Sequence, residues 1–181
     1  MKNTTEEEPR EETLADRAPG QTGVHYKIHQ KMLSMGSHYW IENEQGETVY
    51  KVDSKLGWRK SFNFEDAQGN KLAKIHKVII SLKETMELEG PDGQKLAVVK
   101  KDLITPLKEH FVVELKTGSD LDIRGNLLDH EYTIGRGNQK VAAVSKKLFH
   151  LRDSYSVVIE PGQDDVILLA VVVCIDEMTH D

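Results

Sequence analysis

The sequence predicts a mainly β fold, in which a closed antiparallel barrel of about twelve strands surrounds a central apolar C-terminal α-helix. Two observations support this prediction. A strand–turn–strand unit recurs along the chain, and an uninterrupted apolar run from Val166 to Ile175 follows the last unit. A barrel of that size has an interior too wide for wall side chains alone to fill. The apolar run can fill it, so each observation explains the other.

The repeated unit is recognised by its turn. Gly46, Gly69 and Gly93 each follow a strand-like segment, and Asn138 takes the corresponding place in a fourth copy. Gly and Asn tolerate the positive φ that tight hairpin turns require. The units recur with a period of about 24 residues, interrupted by an insertion around residues 115–130. Each copy also has a β-branched residue six positions after its turn residue: Val52, Ile75, Val99 and Val144.

The apolar run itself has two interpretations on residues alone. As a helix it is about 15 Å long, half the thickness of a bilayer core. As a single strand it would reach roughly 33 Å, which is long for a compact domain. Asp164 or Asp165 can cap a helix start, whereas the β-branched residues 171–173 favour a strand. A helix that is apolar on all sides has to be enclosed by protein.

The ordered series of segments resembles the LURP-one-related family, whose fold is shared with the C-terminal domain of tubby proteins and with phospholipid scramblases. The matching segments begin at residues 26–35, continue through the repeated units and end with residues 144–157, 165–170 and 175–176. The resemblance covers about residues 23 to 178. It implies a twelve-stranded barrel around a central C-terminal helix, and it therefore favours the helical interpretation of the apolar run.

The chain is predicted to contain one domain. Residues 23–181 form the barrel, with the central helix at about residues 164–177, and residues 1–22 form an acidic tail predicted to be disordered. The tail lacks the features of a secretory signal, and its second residue is Lys2 rather than the glycine that myristoylation needs. The single cysteine, Cys174, lies within the apolar run and is expected to be a buried structural thiol. These features predict a cytoplasmic protein, with peripheral contact to a membrane as an option.

Motifs for catalysis or metal binding are not found. The sequence has no HExxH, CxxC, GxSxG or P-loop pattern. His29 and His76 hold equivalent repeat positions, but the other copies carry unrelated residues there, which suits a solvent-facing strand position. Residues 120–131 partly follow a calcium loop, but Arg124 stands where an oxygen ligand belongs, and a strand–turn–strand around Gly125 is favoured. We therefore predict no catalytic residue, no cofactor and no metal.

One candidate binding surface for anions remains. Four cations surround a tryptophan within residues 51–60, and two further lysines follow; the candidate residues are Lys51, Lys55, Trp58, Arg59, Lys60, Lys74 and Lys77. Tubby domains hold phosphoinositide headgroups on a basic barrel surface, so the resemblance points to such a role, although none of these residues aligns individually with the tubby site. The alternative is that these residues have a structural role only. Lysines alternate with apolar residues in solvated strands, and Lys77, Lys101 and Lys146 recur at one repeat position. Trp58 can instead pack in the barrel.

These observations predict a monomeric, non-enzymatic binding module that attaches peripherally to anionic phospholipid or phosphoinositide headgroups. The first alternative is a regulatory or adaptor protein, transcription-related or partner-binding, that binds no lipid. The second is an enzyme that uses a pocket at the barrel mouth. Scramblase activity is not favoured, because the sequence lacks that family's proline-rich arm and cysteine-rich segment. Nucleic-acid binding is not expected of a chain with a net charge of −6.

Overall fold

The computed structural model describes residues 23–33, 36–55, 60–78, 84–105, 108–146 and 154–179, with the side chains at 32–33, 102–105 and 108–109 left out. The described chain forms twelve strands followed by one helix: β1 Val24–Leu33, β2 Gly36–Glu42, β3 Thr48–Lys55, β4 Ser61–Asp66, β5 Lys71–Lys77, β6 Thr85–Glu89, β7 Lys95–Thr105, β8 Lys108–Leu115, β9 Leu121–Asn126, β10 Glu131–Arg136, β11 Gln139–Ser145, β12 Ser154–Ile159 and α1 Asp165–Thr179. The predicted acidic tail lies outside the described residues and stays a prediction.

The strands form a closed antiparallel barrel. Each strand pairs with its sequence neighbours, and β1 pairs with β12 to close the sheet. Because consecutive strands run in opposite directions, the connections between them alternate between the two ends of the barrel. We call the end at which α1 begins the upper end and the end at which it finishes the lower end. The predicted fold class is confirmed.

The repeats form the inner face of the barrel wall. Strands such as β2 alternate between half-buried and buried side chains, as expected when one face packs on a core. The β-branched residues shared by the repeats all point inward and are buried: Val52, Ile75, Val99 and Val144. The repeat pattern therefore specifies the barrel interior through the two-residue period of the strands.

The turn glycines behave as predicted in three copies and differently in the fourth. Gly46, Gly69 and Gly93 have positive φ angles of 76°, 84° and 80°. In the fourth copy it is Gly137, with a φ of 58°, that adopts this conformation, and not Asn138. Arg136 pairs with Gln139, so Gly137 and Asn138 form a two-residue turn with glycine first. The predicted role of Asn138 is wrong by one position.

The region predicted as an insertion around residues 115–130 contains strand β9. The turn after β9 spans residues 127–130, where the backbone N–H of His130 donates to Leu127 O at 3.1 Å, so it does not centre on Gly125 as predicted. Gly125 is instead a strand residue opposite Tyr132. Its φ is +135°, and a Cβ there would lie 2.4 Å from the backbone oxygen of Glu131, so close strand contact is what requires glycine.

The apolar run is a helix inside the barrel, as predicted. It spans Asp165–Thr179, close to the expected residues 164–177, and its residues 168–178 are buried. Asp164 caps its first turn, because Asp164 Oδ1 accepts a 3.0 Å hydrogen bond from the backbone N–H of Ile167. Cys174 is a buried free thiol, and burial raises its pKa. Within the part of the chain that is described, no helix is long and apolar enough to cross a membrane.

Candidate functional site

Two carboxylates are buried at the lower end of α1. Asp176 is 2% exposed and Glu177 is 5% exposed, although the rest of the helix interior is apolar. Burying a charged group costs free energy unless partners compensate it. The position adds to this cost, because the C-terminal end of a helix carries partial negative charge and the last turn of α1 contains no basic residue. The surrounding strands therefore have to supply the compensation.

Tyr39 of β2 lies between the two carboxylates. Its hydroxyl oxygen is 2.8 Å from Asp176 Oδ2 and 2.6 Å from Glu177 Oε1. Gln30 Nε2 donates to the same oxygen at 3.1 Å. Burial, and then the negative charges of Asp176 and Glu177, raise the pKa of Tyr39 well above its ordinary value. The phenol therefore stays protonated and serves as a hydrogen-bond donor.

The second oxygen of each carboxylate has its own partner from the wall. Asp176 Oδ1 lies 2.5 Å from His130 Nε2, and Glu177 Oε2 lies 2.8 Å from Lys60 Nζ. His130 is held in place by stacking on Tyr155, with ring centroids 4.4 Å apart. We call these residues the lower-end network: Tyr39, Lys60, His130, Asp176 and Glu177.

The lower-end network holds the end of α1 in place and is not arranged for proton transfer. A general base needs a lone pair that can reach a substrate proton, but each of the four carboxylate oxygens here lies within 2.8 Å of a polar atom of Tyr39, His130 or Lys60, and the two side chains are almost completely out of solvent. Nearby, Lys101 Nζ donates to the backbone oxygen of Met178 at 3.0 Å, which satisfies a carbonyl that a helix end leaves unpaired. Together with Lys101, the network fixes the end of α1 to β2, β7 and the segments before β4 and β10.

The described candidate cations lie on β3, immediately before β4 and on β5, and they divide into two groups. Lys51 and Lys55 of β3 are exposed on the outer face. Lys60, in contrast, contacts buried Glu177. Lys74 lies 3.7 Å from Glu89, and Lys77 lies 2.8 Å from Glu84. The remaining two candidates, Trp58 and Arg59, are outside the described residues, so their predicted role is not tested.

A tryptophan that the prediction did not include accompanies the exposed lysines. Trp40 of β2 is the cross-strand partner of Lys51 and is half-buried on the outer face. Its ring stacks on that of His38, with centroids 6.4 Å apart. His38 Nδ1 in turn lies 2.7 Å from Asp53 Oδ1, in the strand that carries both lysines. The sequence signal that could have identified Trp40 is the alternation of side chains along β2, which places Tyr39 inward and Trp40 outward.

One group on the outer face has the composition of a metal site. His76 of β5 with Glu87 and Glu89 of β6 brings one nitrogen and two carboxylate oxygens within 4.8 Å of one another. Lysines already balance both carboxylates, since Lys95 lies 2.7 Å from Glu87 and Lys74 lies 3.7 Å from Glu89. The arrangement is therefore a charge-balanced ion-pair cluster. His29 lies elsewhere, on β1, where it contacts Ser154 and Glu42.

A cavity of about 160 Å³ lies at the upper end, between the first turns of α1 and the barrel wall. Strands β7 to β10 contribute to its lining, which combines leucine and isoleucine side chains with Arg136, Gln163 and Asp164. The sequence predicted a pocket at the barrel mouth only as part of the alternative that the protein is an enzyme, without naming its residues. The lining residues of this cavity come from four strands, two connecting segments and a helix, so no local motif marks them.

The structure defines a protein with a closed twelve-stranded barrel around a buried C-terminal helix. The sequence comparison identifies a family to which this chain belongs. The family model described as LURP-one-related matches residues 24–176, and the chain belongs to this family. A relative from Bacillus subtilis (strain 168), the uncharacterized protein YxjI, is 26% identical over 155 residues, which is 85% of this chain and 93% of that protein. An X-ray structure of a protein from Arabidopsis thaliana has the same fold, with a TM-score of 0.65 and 18% identity over 88% of this chain and 93% of that one.

Proposed function

We propose that this protein is a binding module that attaches to anionic phospholipid headgroups through the outer face of β3 and the adjoining lower end of the barrel. The observation that carries the proposal is the contrast among the lysines. Lys60, Lys74 and Lys77 have carboxylate partners, whereas Lys51 and Lys55 are exposed and form no ion pair with any residue that the structure describes. Unpaired cations remain available for an anion from outside.

The surroundings of these two lysines suit a membrane surface. Trp40 lies beside Lys51, and a tryptophan next to cations is typical of the membrane–water interface. Lys31, exposed on β1, adds a further cation towards the lower end. Most of the segments that connect strands at that end lie outside the described residues, but their sequences combine apolar and basic side chains, among them Trp58, Arg59, Leu82, Lys83, Phe149 and Arg152.

The upper end differs in composition. Its turns contain glycine, proline, amides, one lysine (Lys116) and several carboxylates, including Glu44, Asp66, Asp92, Asp120 and Glu160. Carboxylates are repelled by an anionic leaflet, so the two ends of the barrel would interact unequally with a charged membrane. This difference supports attachment through the lower end.

Vesicle flotation tests the proposal. Neutral phosphatidylcholine vesicles are compared with vesicles that contain phosphatidylserine or a phosphoinositide at equal total charge, at low and high salt. Since each lysine near an anionic surface contributes about 1 kcal/mol, the Lys51→Gln/Lys55→Gln variant should bind about thirtyfold more weakly than the unmodified protein. High salt should weaken binding as well.

The matched control is Lys71→Gln/Lys140→Gln, which removes the same charge from the upper end. It should bind as tightly as the unmodified protein. Equal loss in both variants would contradict a specific surface on β3. Absence of flotation with every vesicle would contradict lipid attachment altogether and would favour a role in binding a protein partner.

A further inference from the structure

The upper-end cavity contains an unpartnered cation. The Nε atom of Arg136 is buried and has no hydrogen-bond partner among the residues that the structure describes. Buried polar atoms in folded proteins are normally hydrogen-bonded, and a buried N–H donor without a partner is costly. Asp164, on the same cavity, uses Oδ1 to cap the helix at Ile167 and forms no ion pair with Arg136. The arginine is therefore available to a ligand.

The rest of the cavity lining is mostly apolar. Leu96 of β7, Leu121 of β9 and Ile167 of α1 face the same space as Arg136 of β10. A guanidinium group pairs well with a carboxylate, because its two parallel N–H donors match the two carboxylate oxygens. Leucine and isoleucine side chains favour an apolar tail on the same molecule. The combination selects an amphipathic anion.

The size of the cavity and the charge of its lining restrict the class of ligand further. A cavity of about 160 Å³ is close to the ~150 Å³ that accommodates a benzene ring. The negative charge of Asp164 on the same cavity disfavours a doubly charged ligand. We propose that the upper-end cavity binds a small monocarboxylate with a short apolar tail, of the size of hexanoate or benzoate, with its carboxylate on Arg136. This site is independent of the proposed lipid surface, which lies on β3 and the lower end.

Isothermal titration calorimetry on the full chain tests this proposal, with hexanoate as the probe and hexan-1-ol and hexylamine as probes of equal length. Hexanoate should bind saturably with one site, and neither the alcohol nor the amine should bind as tightly. Arg136→Gln should weaken hexanoate binding by about tenfold or more, since it removes a charge-assisted hydrogen bond. Arg124→Gln is the matched control, because Arg124 on the adjacent strand has a side chain that is 66% exposed.

A second variant keeps the test decisive if Arg136→Gln does not fold. Leu96→Phe retains Arg136 and narrows the cavity, and it should also weaken hexanoate binding by about tenfold or more. The proposal is overturned if the unmodified protein does not bind hexanoate saturably, if hexylamine binds as tightly as hexanoate, or if a folded Arg136→Gln or Leu96→Phe variant binds like the Arg124→Gln control.

Discussion

The hydroxyl group of Tyr26 on β1 donates a 2.6 Å hydrogen bond to Asp165 Oδ2 in the first turn of α1. Tyr39 on β2 makes the corresponding contacts with Asp176 and Glu177 in the last turn. Two adjacent strands near the start of the chain therefore hold both ends of the C-terminal helix. These contacts join residues separated by 137 to 139 positions, so they form only when the two ends of the chain have come together.

Removing the Tyr39 hydroxyl should destabilise the protein. Tyr39→Phe leaves two buried carboxylates without their shared donor, and we expect the free energy of unfolding to fall by about 1–3 kcal/mol in urea denaturation. Tyr155→Phe is the matched control, because the Tyr155 hydroxyl is buried without a hydrogen-bond partner among the described residues. Its loss should be neutral or slightly stabilising. Equal effects of the two substitutions would contradict the role of Tyr39.

Lys60 should act as a structural cation and not as part of an exposed binding surface. Lys60→Met removes the cationic partner of buried Glu177, and we expect a loss of about 2 kcal/mol in unfolding free energy. This is less than for a fully buried pair, because the Lys60 side chain is 34% exposed. Lys55→Met, at an exposed position on β3, should change the unfolding free energy by less than about 0.5 kcal/mol. A neutral Lys60→Met would show that Glu177 does not need this partner.

The tyrosines predict how stability depends on alkaline pH. Burial raises the pKa of Tyr39, Tyr132 and Tyr155 well above the ordinary value of 10.0. Their stabilising contribution is therefore complete below pH 10, where both folded and unfolded chains hold the phenolic proton. It is lost as the pH rises further, because only the unfolded chain releases protons, by about 1.4 kcal/mol per pH unit for each tyrosine.

Absorbance of tyrosinate, followed together with circular dichroism, checks this prediction. The three tyrosines should ionise in the same transition in which secondary structure is lost. The pKa of Tyr26 and of Tyr50 is also raised, chiefly by burial, so early ionisation of these two is not expected either. Full tyrosine titration near pH 10 in a protein that keeps its native spectrum would contradict the burial of these hydroxyl groups.

The fold was predictable because its signals are periodic. Gly46, Gly69 and Gly93 mark the turns, and the shared inward residues such as Ile75 mark the core face, so a repeated local pattern is sufficient to define the barrel. The errors arise where this pattern is broken. At Asn138 a glycine one position earlier takes the positive φ, and at Gly125 close strand contact, rather than a turn, requires glycine.

The site was less predictable because it depends on distant contacts. Lys60 belongs to a basic sequence cluster, yet its partner, Glu177, is at the other end of the chain. His130 and Asp176 likewise meet only through the closed barrel, and neither lies in a recognisable motif. Asp176 and Glu177 did carry one signal: acidic residues end an otherwise apolar helix that lacks a basic last turn. Charge that opposes the helix dipole in this way indicates partners elsewhere in the fold.

The most direct test concerns the enclosed position of α1. Val171 is completely buried at the middle of the helix, so Val171→Asp places an unpaired charge in the barrel core at a cost of several kcal/mol. Leu128→Asp, at a position that is 65% exposed, is the matched control. Thermal unfolding followed by circular dichroism should show no cooperative transition for Val171→Asp and an unchanged one for Leu128→Asp. A soluble Val171→Asp protein that melts like the unmodified chain would contradict a barrel closed around this helix.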